Sequence, residues 1–364
     1  MHDATRPHDK FGTGKTIMLA MPDVVGLPEM IMKNLEYHGF TVIDGTYRPF
    51  AYKSNWEKVY KFLRHVFLQE RNYKAKRQAK TFLEENLAHQ LTTHGLVYGK
   101  DKIDYTLFIH ASIFEPFVFD KVYELAHHNI AYHWDGFAIF PEIMDYIPKF
   151  ERFFAFDVDD IKNNPQFNLL STTNFYFDFD DDEIAKLPPY NINNPSVYFV
   201  GRHWSNRTPM IDGFLGQISQ CDIDPKFCIL DEKSEGRHEY KNADKIQFLS
   251  QSMSFENNLN HVKNSDILVD FVKAEHNGLS FRFFESIHYH KKLITNNHKV
   301  KDYDLYHPDN VFIWDNQNLD LDKFQEFLHK PYAILDKSIT EKYSFGNWIK
   351  YILDIKPHTS LSLI

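Results

Sequence analysis

Short apolar runs of strand length alternate with helix-length segments along most of this chain, and the alternation comes in two blocks. In the first block strands are read at residues 16–22, 40–47, 105–111, 129–136, 152–157 and 168–176, and helices at 27–38, 56–90 and 118–127. In the second block strands are read at 196–201, 226–231, 266–272, 292–297 and 311–315, with a helix at 209–219. Strands that are apolar at every position must be covered on both faces. Each block therefore predicts a mostly parallel sheet flanked by helices, an α/β fold. Between the blocks, residues 178–195 are acidic and then rich in Pro and Asn, the composition of an interdomain linker. The expected organisation is a leader over 1–14, one α/β domain over 15–190, a second over 191–345, and a C-terminal helix and tail over 346–364 that packs back on the first domain. Ligands of open parallel sheets bind at the carboxyl ends of the strands, and two such halves place a cleft between them.

Composition narrows the function. The 364 residues carry 41 Lys+Arg against 50 Asp+Glu, a net charge of −9, which excludes a general nucleic-acid binder. The two cysteines, Cys221 and Cys228, make neither a disulfide framework nor a four-ligand zinc site. No stretch approaches the roughly 18 apolar residues of a membrane span. The first apolar run stops at Pro22 and Asp23, too early for a signal-peptide core. The expected location is cytoplasmic, peripheral at the inner face of the cytoplasmic membrane. Residues 53–80 supply the reason for the membrane. They hold nine Lys/Arg against two Glu, interleaved with Trp56, Tyr60, Phe62, Phe67 and Tyr73. Lys74, Lys76, Arg77 and Lys80 are candidate contacts to anionic headgroups, the alternative being a solvated helix face.

The segment AEHNGLSFRFFESIHYHKKLITNN, residues 274–297, carries the most chemistry. It follows a strand, turns at Asn277–Gly278, and enters a helix near Leu279–Ser280. A glycine at the turn admits a ligand close to the backbone. The helix N-terminus offers unpaired N–H groups to an anion such as a diphosphate. Arg282 lies one turn in and adds a bidentate phosphate contact. Glu285, three residues on, is placed to accept hydrogen bonds from ribose hydroxyls. In VGRHWSNRTPMI, residues 200–211, a strand ends at Gly201, and Arg202 and Arg207 flank a loop before a proline-started helix. For proton transfer the candidates end first-block strands: His110 in FIHAS, and His133 and Asp135, the latter before Gly136, in YHWDG.

The second block resembles the nucleotide-sugar-binding domain of two-domain glycosyltransferases of GT-B architecture, in which two Rossmann-like domains face each other across a cleft. More narrowly, FFAFDVDDIKNN and SFRFFESIHYHKKLITNNHKVKDYDLYHPDN resemble bacterial transferases of lipopolysaccharide and capsule assembly and their CgeB-like relatives. The resemblance implies transfer of a sugar from a nucleotide-sugar donor to a lipid-linked surface glycan, of lipopolysaccharide, capsule or exopolysaccharide. It places Gly201, Arg202, Arg207, Asn277, Gly278, Leu279, Ser280, Arg282 and Glu285 at the donor diphosphate and ribose. Many relatives have an acidic residue directly before the turn glycine. Here the order is Glu275-His276-Asn277-Gly278, with Glu275 the candidate for a sugar hydroxyl. No obligatory metal or other cofactor is implied, and no nucleic-acid partner.

Two rival readings remain at this point. Asp157 and Asp159 form an Asp-x-Asp after an apolar strand, the pattern by which single-domain GT-A transferases hold a divalent cation. A second acidic run at 178–182 reads as solvated linker. From a different class, the chain is a non-catalytic nucleotide-sugar-binding protein.

Overall fold

In β1 (Thr16–Ala20) the side chains of Ile17, Met18, Leu19 and Ala20 are all fully buried. Such a strand has no face toward water, which requires cover on both sides of its sheet. The computed structural model describes residues 10–48, 73–272, 278–316 and 318–362. These belong to two units, Met1–Thr172 with Ile352–Ile355 and Ser362–Ile364, and Thr173–Tyr351 with Lys356–Leu361.

The first unit's sheet adds β2 (Thr41–Asp44), β3 (Ile103–Ile109), β4 (Ala126–His133), β5 (Arg152–Ala155) and β6 (Leu170–Ser171). Its order is β2-β1-β3-β4-β5-β6, parallel at every pair, with Leu19 level with both Asp44 and Leu107. α1 (Leu27–Tyr37) starts after Gly26, whose φ of 82° is the left-handed conformation glycine adopts freely, and buries Leu27, Met30, Ile31 and Leu35 at helical spacing. α2 (Tyr73–Thr81) passes through a π-helical turn, Phe82–Leu87, into α3 (Ala88–Thr93). The short α4 (Pro116–Tyr123) and α5 (Val158–Asn163) follow among the described residues.

The second sheet consists of β7 (Ser196–Arg202), β8 (Asp224–Leu230), β9 (Ile246–Leu249), β10 (Ile267–Asp270), β11 (Lys292–Thr295) and β12 (Val311–Ile313). It is again parallel throughout, in the order β12-β11-β10-β7-β8-β9. Renumbered from its own first strand, this is the Rossmann order 3-2-1-4-5-6. Its helices are α6 (Thr208–Ile218), α7 (Phe255–Lys263), α8 (Phe281–His288), α9 (Leu321–His329), α10 (Lys337–Glu341) and α11 (Phe345–Leu353). The fold class is that of the GT-B proteins, two Rossmann-like parallel sheets in one chain. A single-domain GT-A architecture does not accommodate the second sheet.

Three expectations change. Residues 11–14 are part of the fold, not of a leader: Gly12 N–H donates to the His38 carbonyl at 2.9 Å, and the Phe11 ring lies 4.9 Å from that of His38. The strand expected over 168–176 shrinks to Leu170–Ser171. Asn168 before it is left-handed (φ 52°), and Tyr176 after it bridges to Ser344 of the second unit. The acidic run after it is solvated only in part: Asp181 and Asp182 are exposed, while Asp178 and Asp180 are buried. Phe175 and Phe177 enter the second unit's core, Phe175 lying 4.4 Å from Trp348. Asp178 accepts the Gly346 N–H at 2.9 Å. Asp180, itself buried, pairs with Lys263 at 2.6 Å and accepts from Tyr289 at 2.8 Å and His288 at 3.2 Å. The change of unit thus falls at Thr172–Thr173, earlier than composition suggests, because alternate aromatics carry the chain into the second core. Most of the segment 53–80 lies outside the described residues. Among the described residues no helix is long and apolar enough to cross a membrane.

Candidate functional site

In the second sheet the winding reverses between β7 and β10, and a crevice at the carboxyl ends of those two strands is where such folds bind ligands. β7 ends in Gly201-Arg202, β10 in Asp270. A Cβ at Gly201 would meet the Phe199 ring at 2.9 Å, so the backbone there lies against that ring. Over the same ring stand two guanidiniums, Arg282 with Cζ 5.5 Å from its centroid and Arg207 at 5.9 Å. Arg282 faces the Asp270 carboxylate at 3.5 Å and donates to the Val200 carbonyl. Arg207 donates to the Phe271 carbonyl at 2.8 Å, while its Nε is buried without a hydrogen-bond partner. Burial, and next the Arg282 charge, lower the Arg207 pKa, but an arginine so far above neutrality stays charged.

The helix start beside them is braced by asparagines. Asn296 accepts the Val272 N–H at 2.8 Å, and Asn297 donates to the Gly278 carbonyl at 3.2 Å. Asn174 donates to the Leu279 carbonyl at 3.0 Å. Both shoulders of the 273–277 segment are therefore fixed. Glu275 and Asn277 themselves lie outside the described residues. Ser280 occupies the N-cap of α8 in extended conformation, yet its hydroxyl is buried with no partner.

Two expected donor contacts are placed differently. Arg202 turns outward into an exposed ion pair with Glu232 at 3.3 Å. Glu285 does not present its carboxyl to a ligand: the residue is 3% exposed, and neither oxygen has a hydrogen-bond partner. The i,i+3 spacing from Arg282 places both on neighbouring turns, but the buried face of α8 takes Glu285. Burial pushes its carboxyl up to about 7, with Arg282 pulling down and Asp270 adding a smaller rise. Around neutrality the two guanidiniums are thus matched by little more than the one carboxylate of Asp270. The sign of the pH effect follows. The folded state binds the Glu285 proton more tightly than the unfolded chain, so the associated stability is complete below about 4.5 and is lost as pH rises through 7. Glu285→Gln is expected to melt above the parent at pH 8 and to lose that advantage at pH 4.5. An equal loss of melting temperature at both values would contradict it.

The first unit brings its two candidates together. His110 follows β3 in a left-handed conformation (φ 60°, ψ 59°), strained for a residue with a side chain. Its Nδ1 lies 3.4 Å from Asp135 Oδ2 but makes no hydrogen bond, and its Nε2 lies 3.4 Å from Ser112 Oγ. Burial lowers its pKa, against the charges of Asp135 and Glu142. An imidazole set beside a carboxylate and a hydroxyl is a candidate for proton transfer. Asp135 is partly exposed, at 27% of its side chain.

Asp157 proves to be a helix cap: its Oδ1 accepts the Asp159 N–H at 2.9 Å at the start of α5. Among the described residues, no three His, Cys, Asp or Glu are grouped so as to hold a metal ion. His288 is buried and stacks on Tyr176 at 4.3 Å. Of the expected membrane contacts, Arg77 faces Glu85 at 3.8 Å and Lys80 faces Glu84 at 3.5 Å, while Lys74 and Lys76 are exposed on α2. Sequence reasoning missed Asp270, though a carboxylate ending the apolar run ILVD was a readable signal. It also missed Asn174 and Ser112, whose partners are distant in sequence or invisible to spacing.

No family model and no curated protein matches the chain. Among solved structures it is similar to the UDP-GlcNAc 2-epimerase of Neisseria meningitidis bound to UDP-GlcNAc, at 10% identity and a TM-score of 0.49 over 93% of this chain and 98% of that one. It is also similar to S. aureus MnaA with UDP (11%, 0.48, covering 96% and 100%). A third is a glycosyltransferase from Rickettsia africae (12%, 0.47, covering 94% and 99%). Likenesses at this level transfer no ligand and no reaction to this chain.

Proposed function

We propose that the chain is a glycosyltransferase that binds a nucleotide-sugar donor at the β7–β10 crevice of its second unit. One observation carries the reading. Two guanidiniums converge over Phe199 at the point where the sheet's winding reverses, with the Asp270 carboxylate 3.5 Å from Arg282. This surplus of positive charge beside the α8 N-terminus suits a diphosphate. Arg207, Arg282 and the backbone N–H groups from Ser280 onward neutralise the charge that develops on the leaving diphosphate. His110 takes the proton of the acceptor hydroxyl as that oxygen bonds to the sugar C1 and the bond from C1 to the diphosphate breaks. Asp135, beside Nδ1, favours the protonated ring. Incubation with a nucleotide sugar and a glycan tests the reading. A glycan heavier by one sugar, with release of the nucleotide, supports it. Binding without any product would leave a nucleotide-sugar-binding protein.

The acceptor in this proposal is a lipid-linked surface glycan of the lipopolysaccharide, capsule or exopolysaccharide type. The basic helix α2 meets the anionic leaflet that carries it, each cation there contributing about 1 kcal/mol. Replacing Lys74, Lys76, Arg77 and Lys80 with Glu is expected to abolish co-sedimentation with phosphatidylglycerol vesicles. Binding as salt-sensitive as the parent's would remove α2 from the contact.

A further inference from the structure

The His110 imidazole is enclosed by rings. His133, the last residue of β4, lies parallel to it, with centroids 4.9 Å apart and planes 9° from coincidence. Trp134 stacks at 5.8 Å and 25°, and Phe140 meets it edge-on at 4.7 Å. His133 is wholly buried, and both its nitrogens lack a hydrogen-bond partner. It also meets Phe137 and Phe140 edge-on, at 5.9 and 6.0 Å. Among the described residues, the polar side chains nearest the His110 ring nitrogens are Asp135 and Ser112.

We propose that His133 is a positioning residue: its flat, uncharged ring closes one face of the His110 imidazole and holds it edge-on to Asp135. Two buried imidazoles this close do not both take a proton. The more deeply enclosed ring is the one that stays neutral. Burial, and then the neighbouring His110, take the pKa of His133 down to about 3, so it is uncharged at any pH near neutrality. When His110 gains a proton, the new charge therefore sits against a neutral π face and next to Asp135. The charged groups facing His110 are Asp135 and Glu142, both of which favour that proton, and the face closed by His133 excludes water. His133 thus works through His110 and touches no ligand. Its backbone carbonyl, which accepts the Phe156 N–H, gives the ring a fixed base.

The catalytic consequence rests on the proposed function, so the test reads the His110 ring directly. In the intact protein, imidazole nitrogen and carbon shifts are followed through a pH titration for the parent, His133→Leu and His133→Phe. Leucine fills the space without a flat face, while phenylalanine restores one that cannot titrate. In His133→Leu the His110 midpoint is expected to fall by about half a unit or more, because the flat face that favours the charged ring is gone while the site stays filled. His133→Phe should keep it at the parent value. In turnover, His133→Leu should lower kcat about tenfold with little change in donor KM, and His133→Phe should recover most of it. Unchanged titration in His133→Leu overturns the proposal, as does a His133→Phe that matches His133→Leu, since then the nitrogens and not the ring would matter. A titration as expected with no transfer by the parent would sink the transferase reading and leave the positioning role standing.

Discussion

His110→Asn is expected to lower turnover by about 10²–10⁴-fold, the contribution of a positioned acid or base, while nucleotide-sugar affinity stays at the parent value. Asparagine is the informative replacement because His110 holds φ 60° and ψ 59°, a conformation asparagine tolerates better than alanine. A loss of activity then reports lost chemistry rather than a disturbed strand end. The parent should also stay active on the acid side of an ordinary histidine titration, because burial lowers the His110 pKa and keeps the ring a base there. Turnover within a few-fold of the parent would remove His110 from the reaction.

Asp180→Ala is expected to destabilise the second unit by about 3–5 kcal/mol, the range for breaking a buried pair. Asp180 is 5% exposed and takes Lys263, His288 and Tyr289 at once. Its removal leaves the partly buried Lys263 only Glu183 and strips the His288 nitrogen of its nearest acceptor. Burial alone would raise the carboxyl, but the hydrogen bonds from His288 and Lys263 outweigh it and bring it down to about 2. The folded pKa is thus below the unfolded one near 3.8. The stability is present above 3.8 and is lost as pH falls through 2. Denaturant unfolding of parent and variant at pH 7 and pH 3 measures both. A difference under about 1 kcal/mol at pH 7 would show the network to be weakly coupled to folding.

The two parallel sheets were legible in the sequence because strands such as ILVD and TIMLA are apolar at nearly every position and must be buried on both faces. β9 was not: in IQFL only Ile246 is buried, so it carries no continuous apolar run. α7 escaped for a similar reason, burying only Leu259 and Val262 behind its Ser254 cap. The acidic run was misjudged because composition counts Asp178 and Asp180 as solvent-seeking, whereas their partners Gly346, Lys263 and His288 lie far along the chain. In the candidate site, spacing located Arg207 and Arg282 but not the direction of Arg202 or Glu285. A helix repeat states which residues are neighbours, while the depth of each is decided by packing from β7 and β10. The Asp-x-Asp at 157–159 shows the same ambiguity, since a cap and a metal ligand look alike in sequence.

The central claim is tested most directly by titrating folded parent and Arg282→Ala with nucleoside diphosphates and their sugars in a calorimeter. The parent should bind one of these nucleotide families, and Arg282→Ala should lose about 1.5–3 kcal/mol of that binding, the worth of hydrogen bonds to a charged group. Equal affinity in the folded variant, or no binding of any nucleotide by the parent, would contradict the account.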